Sequence, residues 1–136
     1  MKAGDVFFFI NFKFDDGSIQ NKLLIILNTP HDDEPYLVCL TTSQHKQWRT
    51  KVLGCHAEKN YYFIDANQDN FDTDTWIVFE KIYELDVARL LNSCLKEGSY
   101  KLFELDVTLW RALKNCISKS KDVEQDYLAM ILRETT

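Results

Sequence analysis

Little in this chain would leave a fold open. Two prolines and four glycines exclude a linker-rich or collagen-like chain, and a balance of 46% hydrophobic to 27% charged residues excludes an intrinsically disordered one. No apolar run approaches the roughly 20 residues that span a bilayer, and the N-terminus has neither the basic start nor the small-residue cleavage site of a secretory leader. The expectation is a cytoplasmic protein with no membrane association. C-x-x-C pairs are absent: Cys39, Cys55, Cys94 and Cys116 lie far apart, which argues against a zinc knuckle. With no secretory signal, the expectation for these cysteines is reduced and mostly buried thiols. A basic excess is also missing. Residues 1–83 carry twelve acids and eight bases, and residues 84–136 carry nine and eight, for a net charge of −5. Whole-surface attraction to nucleic acid is excluded, while a local basic groove is not.

What is present is a chain of 136 residues with nine Phe and 13% aromatics, long enough for one domain to bury a core without disulfide or metal. Residues 6–14 read as an aromatic strand. Asp15-Asp16-Gly17-Ser18 reads as a turn, with Gly supplying positive φ and Asp side chains bonding the turn backbone. Residues 22–28 are a short apolar run of strand length, and residues 36–42 form the next strand, so tight loops imply an antiparallel meander. Short strands are also expected at 52–56 and 61–64, with exposed loops at 43–51 and 65–74. Residues 76–82 read as a strand with Trp76, Val78 and Glu80 on one side.

Past Tyr83 the pattern becomes helical. Leu85, Ala88, Leu91 and Leu95 fit a helix that Gly98 would stop. Asp106 can cap a helix with Leu109, Leu113, Cys116 and Ile117 on one stripe, and Ser120 or Asp122 can cap a last helix over about 123–133.

Four segments in order carry a resemblance. They are Gly4-Asp5-Val6, the strand opening at Lys22, Leu40-Thr41-Thr42-Ser43-Gln44, and residues 77–82 followed by Asp86-Val87-Ala88-Arg89-Leu90. Over about residues 4–90 the chain resembles the PemK/MazF-like toxins of bacterial toxin–antitoxin modules. The residue pattern reads as an α+β single domain, a small antiparallel barrel over about residues 4–83 followed by two or three helices in residues 84–136. The resemblance, which does not account for those helices, implies that the barrel is SH3-like. It also implies a homodimer, control by an antitoxin peptide or protein, and cleavage of single-stranded RNA without metal or other cofactor. In that chemistry the 2′-hydroxyl attacks the adjacent phosphorus. A carboxylate moves protons, and a cation with hydroxyl donors stabilises the charge on the phosphorane. By position Lys22 would be the cation, Thr41, Thr42 or Ser43 the donors, and Glu80 the carboxylate. The chain departs from the family in having Lys22 and Tyr83 where arginines usually stand, and Lys cannot offer a bidentate fork.

Plainer readings stay open beside these. Lys22 at the start of an apolar strand is also what a solvated strand end looks like, and Thr41–Ser43 are ordinary strand-to-turn residues. Glu80 in an apolar strand must be exposed, paired or functional, because an unpaired buried carboxylate is costly. Lys46, Trp48, Arg49 and Lys51 form the one compact basic segment, with cations for phosphates and a ring for a base. The alternative there is a charged loop whose Trp48 packs back on the protein. His31-Asp32-Asp33-Glu34 reads as a solvated turn, since consecutive residues rarely converge on one ion. The alternative function is a catalytically silent interaction module that binds a protein partner.

Overall fold

Among the described residues seven strands form one antiparallel sheet in the order β4-β5-β6-β3-β2-β1-β7. They are β1 (Asp5–Lys13), β2 (Ile19–Ile26), β3 (Tyr36–Thr42), β4 (Gly54–His56), β5 (Tyr61–Ile64), β6 (Thr75–Leu85) and β7 (Tyr100–Glu104). Three α-helices among the described residues complete the α+β fold: α1 (Val87–Asn92), α2 (Val107–Ser118) and α3 (Gln125–Leu132). This computed structural model describes residues 1–66 and 68–133. Among them no helix is long and apolar enough to cross a membrane.

The sheet is open, and this corrects the expected SH3-like barrel. Its edges, β4 and β7, do not pair with each other. The physical reason lies in the two apolar faces of the strands. One face presents Val6, Ile25, Leu37, Cys39, Ile77 and Phe79 to Trp110, Leu113, Ile117 and Ile131 of α2 and α3. The other presents Phe7, Phe9, Leu24, Ile26 and Val38 to Leu90 of α1. A barrel has a single interior to fill, whereas a sheet apolar on both faces is satisfied by cover on both. β7 lies in the region expected to be helical, and it pairs with the outer edge of β1.

Local chemistry accounts for most boundaries. In the β1–β2 turn Gly17 has φ +89°, and Asp16 Oδ1 accepts from Ser18 N at 2.9 Å. A bulge near Asn11 (φ 62°) shifts the β1–β2 register between Phe9 and Phe12. α2 begins as expected, with the Asp106 carboxylate accepting from Thr108 N at 3.0 Å. α1 differs from its expected stripe. Leu85 ends β6 and Leu90 points into the core, so Leu91 and Leu95 stay exposed, and a wider turn over residues 93–97 closes at Gly98 (φ +83°). Neither Ser120 nor Asp122 caps α3. Ser120 Oγ donates to Asn60 Oδ1, and Asp122 accepts from Asn60 Nδ2 at 2.7 Å, which ties the α2–α3 link to the start of β5.

The cysteines need a second correction. Cys55 on β4 and Cys116 on α2 are joined by a disulfide across 61 residues of sequence, so only Cys39 and Cys94 are free thiols. Cys55 pairs across the strands with Tyr62, which packs into the core beneath α2, and so it faces the helix that carries Cys116.

Candidate functional site

Alternation along three neighbouring strands decides which polar side chains meet. Leu24 lies opposite Leu40, and continuing that antiparallel register brings Lys22 opposite Thr42. Thr42 in turn pairs with Trp76 and Lys22 with Phe9. Past this row the sheet opens into a polar groove of about 640 Å³, lined by Lys22, Thr41, Thr42 and Ser43 together with Asp16, Ser18 and Thr75. Four of the five catalytic candidates therefore come together, from β2 and the end of β3.

Their individual chemistry differs. The Lys22 ammonium sits 5.9 Å from the centroid of the Phe14 ring, a contact that keeps the cation in the groove. The Thr41 hydroxyl is buried and donates to Leu23 O at 3.0 Å, so backbone already holds its proton. Thr42 Oγ1 accepts from Gln44 N at 3.1 Å, which leaves its hydroxyl hydrogen for a ligand, and Ser43 is exposed.

Glu80 is the candidate the fold takes away. It is exposed and lines a different depression, with Asp122, Glu124 and Tyr127. The cause is a register shift between β3 and β6: Leu40 pairs with Val78, while Val38 pairs with Tyr83. This irregularity at residues 79–82 ends the alternation that had put Glu80 in line with Trp76 and Val78. Tyr83, at a position where the resemblance expects arginine, packs edge-on against Phe12 with centroids 5.2 Å apart. Burial first, then the charges of Glu80 and Asp16, raise its phenol pKa, so it remains a neutral donor.

The basic segment joins the groove at Gln44. Arg49 Nη1 donates to Gln44 O at 3.1 Å, and its guanidinium lies 5.5 Å from the Trp48 ring. Trp48 is 58% exposed and does not pack back on the sheet. The loop is pinned by other residues: His45 stacks on Trp76 at 5.4 Å, Trp76 Nε1 donates to Thr50 O, and Thr50 N donates to the Tyr61 hydroxyl. Lys46 is exposed, whereas Lys51 is paired with Asp74 at 3.1 Å. A shallower cleft shares Ser43 and Thr73 with the groove and carries the polar track on to His45 and Lys51.

Elsewhere the polar clusters are structural. Asp5 is buried, accepts from Lys2 N at 2.9 Å and pairs with Lys101 at 3.3 Å. Glu34 pairs with Arg133 and accepts from His31 N, and the Arg133 bond first, then the His31 bond, hold its carboxyl down to about 2. Among the described residues no three His, Cys, Asp or Glu side chains gather as metal ligands. A cavity of about 480 Å³ between β4–β5 and the start of α2 is mainly apolar, with Asp69 and Asp106 at its rim. Asp16, Ser18 and Thr75 also line the groove, and no local pattern marks them as groove residues. The Asp-Gly turn was visible, but the strand end it faces was not. No protein-family model matches this chain, and no curated protein matches it.

Proposed function

We propose that the groove is a single-stranded RNA site and that the protein is an endoribonuclease working by the metal-independent route the resemblance implies. The observation that carries the reading is the convergence of Lys22, Thr42 and Ser43 from two strands on one polar groove, with an exposed Trp48 on the adjoining loop. A phosphate seated there meets one cation and two hydroxyl donors. The 2′-oxygen attacks the adjacent phosphorus and gives up its proton to solvent water, the P–O5′ bond breaks, and the departing 5′-oxygen takes up a proton from solvent. The products are a 2′,3′-cyclic phosphate and a 5′-hydroxyl. Lys22 stabilises the extra negative charge of the phosphorane, where an ammonium acts as a point charge. Thr42 and Ser43 donate to the non-bridging oxygens. Trp48 stacks on a base beyond the cut, and Lys46 and Arg49 follow the backbone.

A second reading is favoured by one specific observation. Glu80, the carboxylate of the expected chemistry, opens onto an acid-lined depression away from the groove. That suits an interaction module which holds a partner strand or peptide without cutting it. The deciding test incubates a mixed-sequence single-stranded RNA with the protein in EDTA, alongside Lys22→Ala. Cyclic-phosphate ends that appear with the wild type and vanish with the variant support the ribonuclease. Retained binding without cleavage supports the module, and neither binding nor cleavage removes RNA from the account.

A further inference from the structure

Asp72 and Asp74 line the cleft that adjoins the groove, where Asp74 is paired with Lys51. Four other carboxylates lie in the first turn and on β6, and their partners separate them. Asp15 is ion-paired with Lys81. Glu84 accepts from the Tyr127 hydroxyl at 2.5 Å. Glu80 opens onto the other depression. Asp16 alone of the four lines the groove, with Lys22, Ser18, Thr42 and Ser43. The turn also fixes its rotamer: Oδ1 accepts from Ser18 N at 2.9 Å and from Ser18 Oγ at 2.7 Å. Both bonds fall on Oδ1, so Oδ2 is left to face a ligand. The two bonds from Ser18 hold the carboxyl below its ordinary range, so it is an anion and an acceptor at neutral pH.

An anion in a groove that takes a polyanion is a conflict, and it is resolved where the strand offers a donor. Phosphates are acceptors only. Among strands of one base sequence, the sugar donor that differs is the ribose 2′-hydroxyl, present in RNA and absent from DNA. A DNA strand in the same groove would meet the carboxylate with no donor to offer, and repulsion against the wrong partner is one way specificity is built.

We propose that Asp16 reads the ribose 2′-hydroxyl as a hydrogen-bond acceptor, and that it makes the groove select RNA over DNA. The assignment rests on the RNA reading of the groove given above. Asp16 acts here as a specificity residue. The hydroxyl it accepts from is also the proposed nucleophile, so the same contact holds the attacking oxygen beside the phosphorus.

The test measures the affinity of the full chain for three single strands of one sequence: RNA, DNA, and a 2′-deoxy-2′-fluoro strand that has no 2′ donor. Fluorescence anisotropy in EDTA is the readout, with strand integrity checked on a gel after each titration. The wild type should bind RNA about tenfold more tightly than either other strand, as one charge-assisted hydrogen bond supplies. In Asp16→Ala the RNA-to-DNA ratio should fall to near one, with part of the change coming from tighter DNA binding once the repulsion is gone. Asp16→Asn keeps an acceptor for Ser18 N and so preserves the turn, and it should give an intermediate ratio. Unchanged RNA-to-DNA ratios in both variants, with RNA still bound, would overturn the role of Asp16 and leave the RNA groove standing. A changed base preference with an unchanged sugar preference would overturn it too. Failure of the wild type to bind any of the strands would remove the RNA reading and this inference with it.

Discussion

The two halves of β6 lie on either side of a register shift and have opposite surroundings. Residues 75–78 pair with β5 on one side, and residues 76–78 pair with β3 on the other. Thr75 borders the Lys22 groove and Trp76 carries the stacked His45. Residues 79–82 form the register shift, and residues 83–85 beyond it pair with β3. Glu80 and Glu84 stand exposed there, beside Asp122 and Glu124 of the link into α3 and under the Tyr127 hydroxyl. One irregularity in the ladder thus separates a groove that offers a cation and hydroxyls from a depression lined with carboxylates. In an unbroken strand Glu80 would have followed Trp76 and Val78 onto the face of Lys22. Bulges re-aim side chains, and here the re-aimed side chain is the one the expected chemistry most needed.

The comparison can be broken first at the covalent link on the first-half side. The disulfide holds the short edge strand β4 to α2 and closes a loop of 61 residues. Cys55→Ser should cost about 4 kcal/mol in urea unfolding on a chain-entropy estimate, and a thiol titration of native protein should find two reactive sulfhydryls at most. Four titratable thiols in protein purified without reductant would show that the bridge does not form in solution.

Catalysis separates the two halves next. Lys22→Ala should lower RNA cleavage about 100-fold, the scale of losing one preorganised charge at a phosphorane. Glu80→Gln should stay within about twofold of wild type, since its carboxylate lies outside the groove. A large loss from Glu80→Gln with Lys22→Ala near normal would reverse the assignment of the two sites. The exposed ring gives a smaller effect. Trp48→Ala should weaken single-strand binding about tenfold with little change in salt dependence, because stacking is not electrostatic. Lys46→Ala with Arg49→Ala should flatten the salt slope instead.

The smallest effect sharpens the second half. Tyr127 donates to Glu84, and this bond first, then burial, raises the phenol to about 12 from an ordinary 10.0. A raised value means the folded chain holds the proton more tightly. The bond's contribution is therefore complete below about pH 10 and fades as pH climbs toward 12. In ultraviolet titration, Glu84→Gln should return one tyrosine transition toward 10 and cost about 1 kcal/mol or less of stability. A tyrosine spectrum that does not respond to Glu84→Gln would mean that the pair does not form.

Much of the fold was legible because it rests on local chemistry. The aromatic β1, the Gly17 turn, the full extent of β3 at 36–42 and the Asp106 cap on α2 follow from periodicity and turn residues acting over a few positions. The strand β7 was not legible. Tyr100-Lys101-Leu102-Phe103-Glu104 shows no clean alternation, and it is held by pairing with a β1 edge some ninety-five residues earlier in the sequence. Sequence spacing likewise hid the disulfide, because two cysteines 61 residues apart give no local sign of sharing a strand–helix contact.

The sequence by itself determined which side chains alternate, where the chain turns and which types of chemistry it carries: a lysine before the apolar run of β2, hydroxyls at the end of β3 and an aspartate pair in the first turn. Those properties are set by neighbours within a few residues. Tertiary structure alone decided that the sheet stays open, that Lys22 and Thr42 meet, that Asp16 joins them and that Glu80 does not. Each of these depends on register between strands far apart in the chain. Three extra residues of β6 against β3 move Glu80 to another surface, and they leave no trace in composition or period.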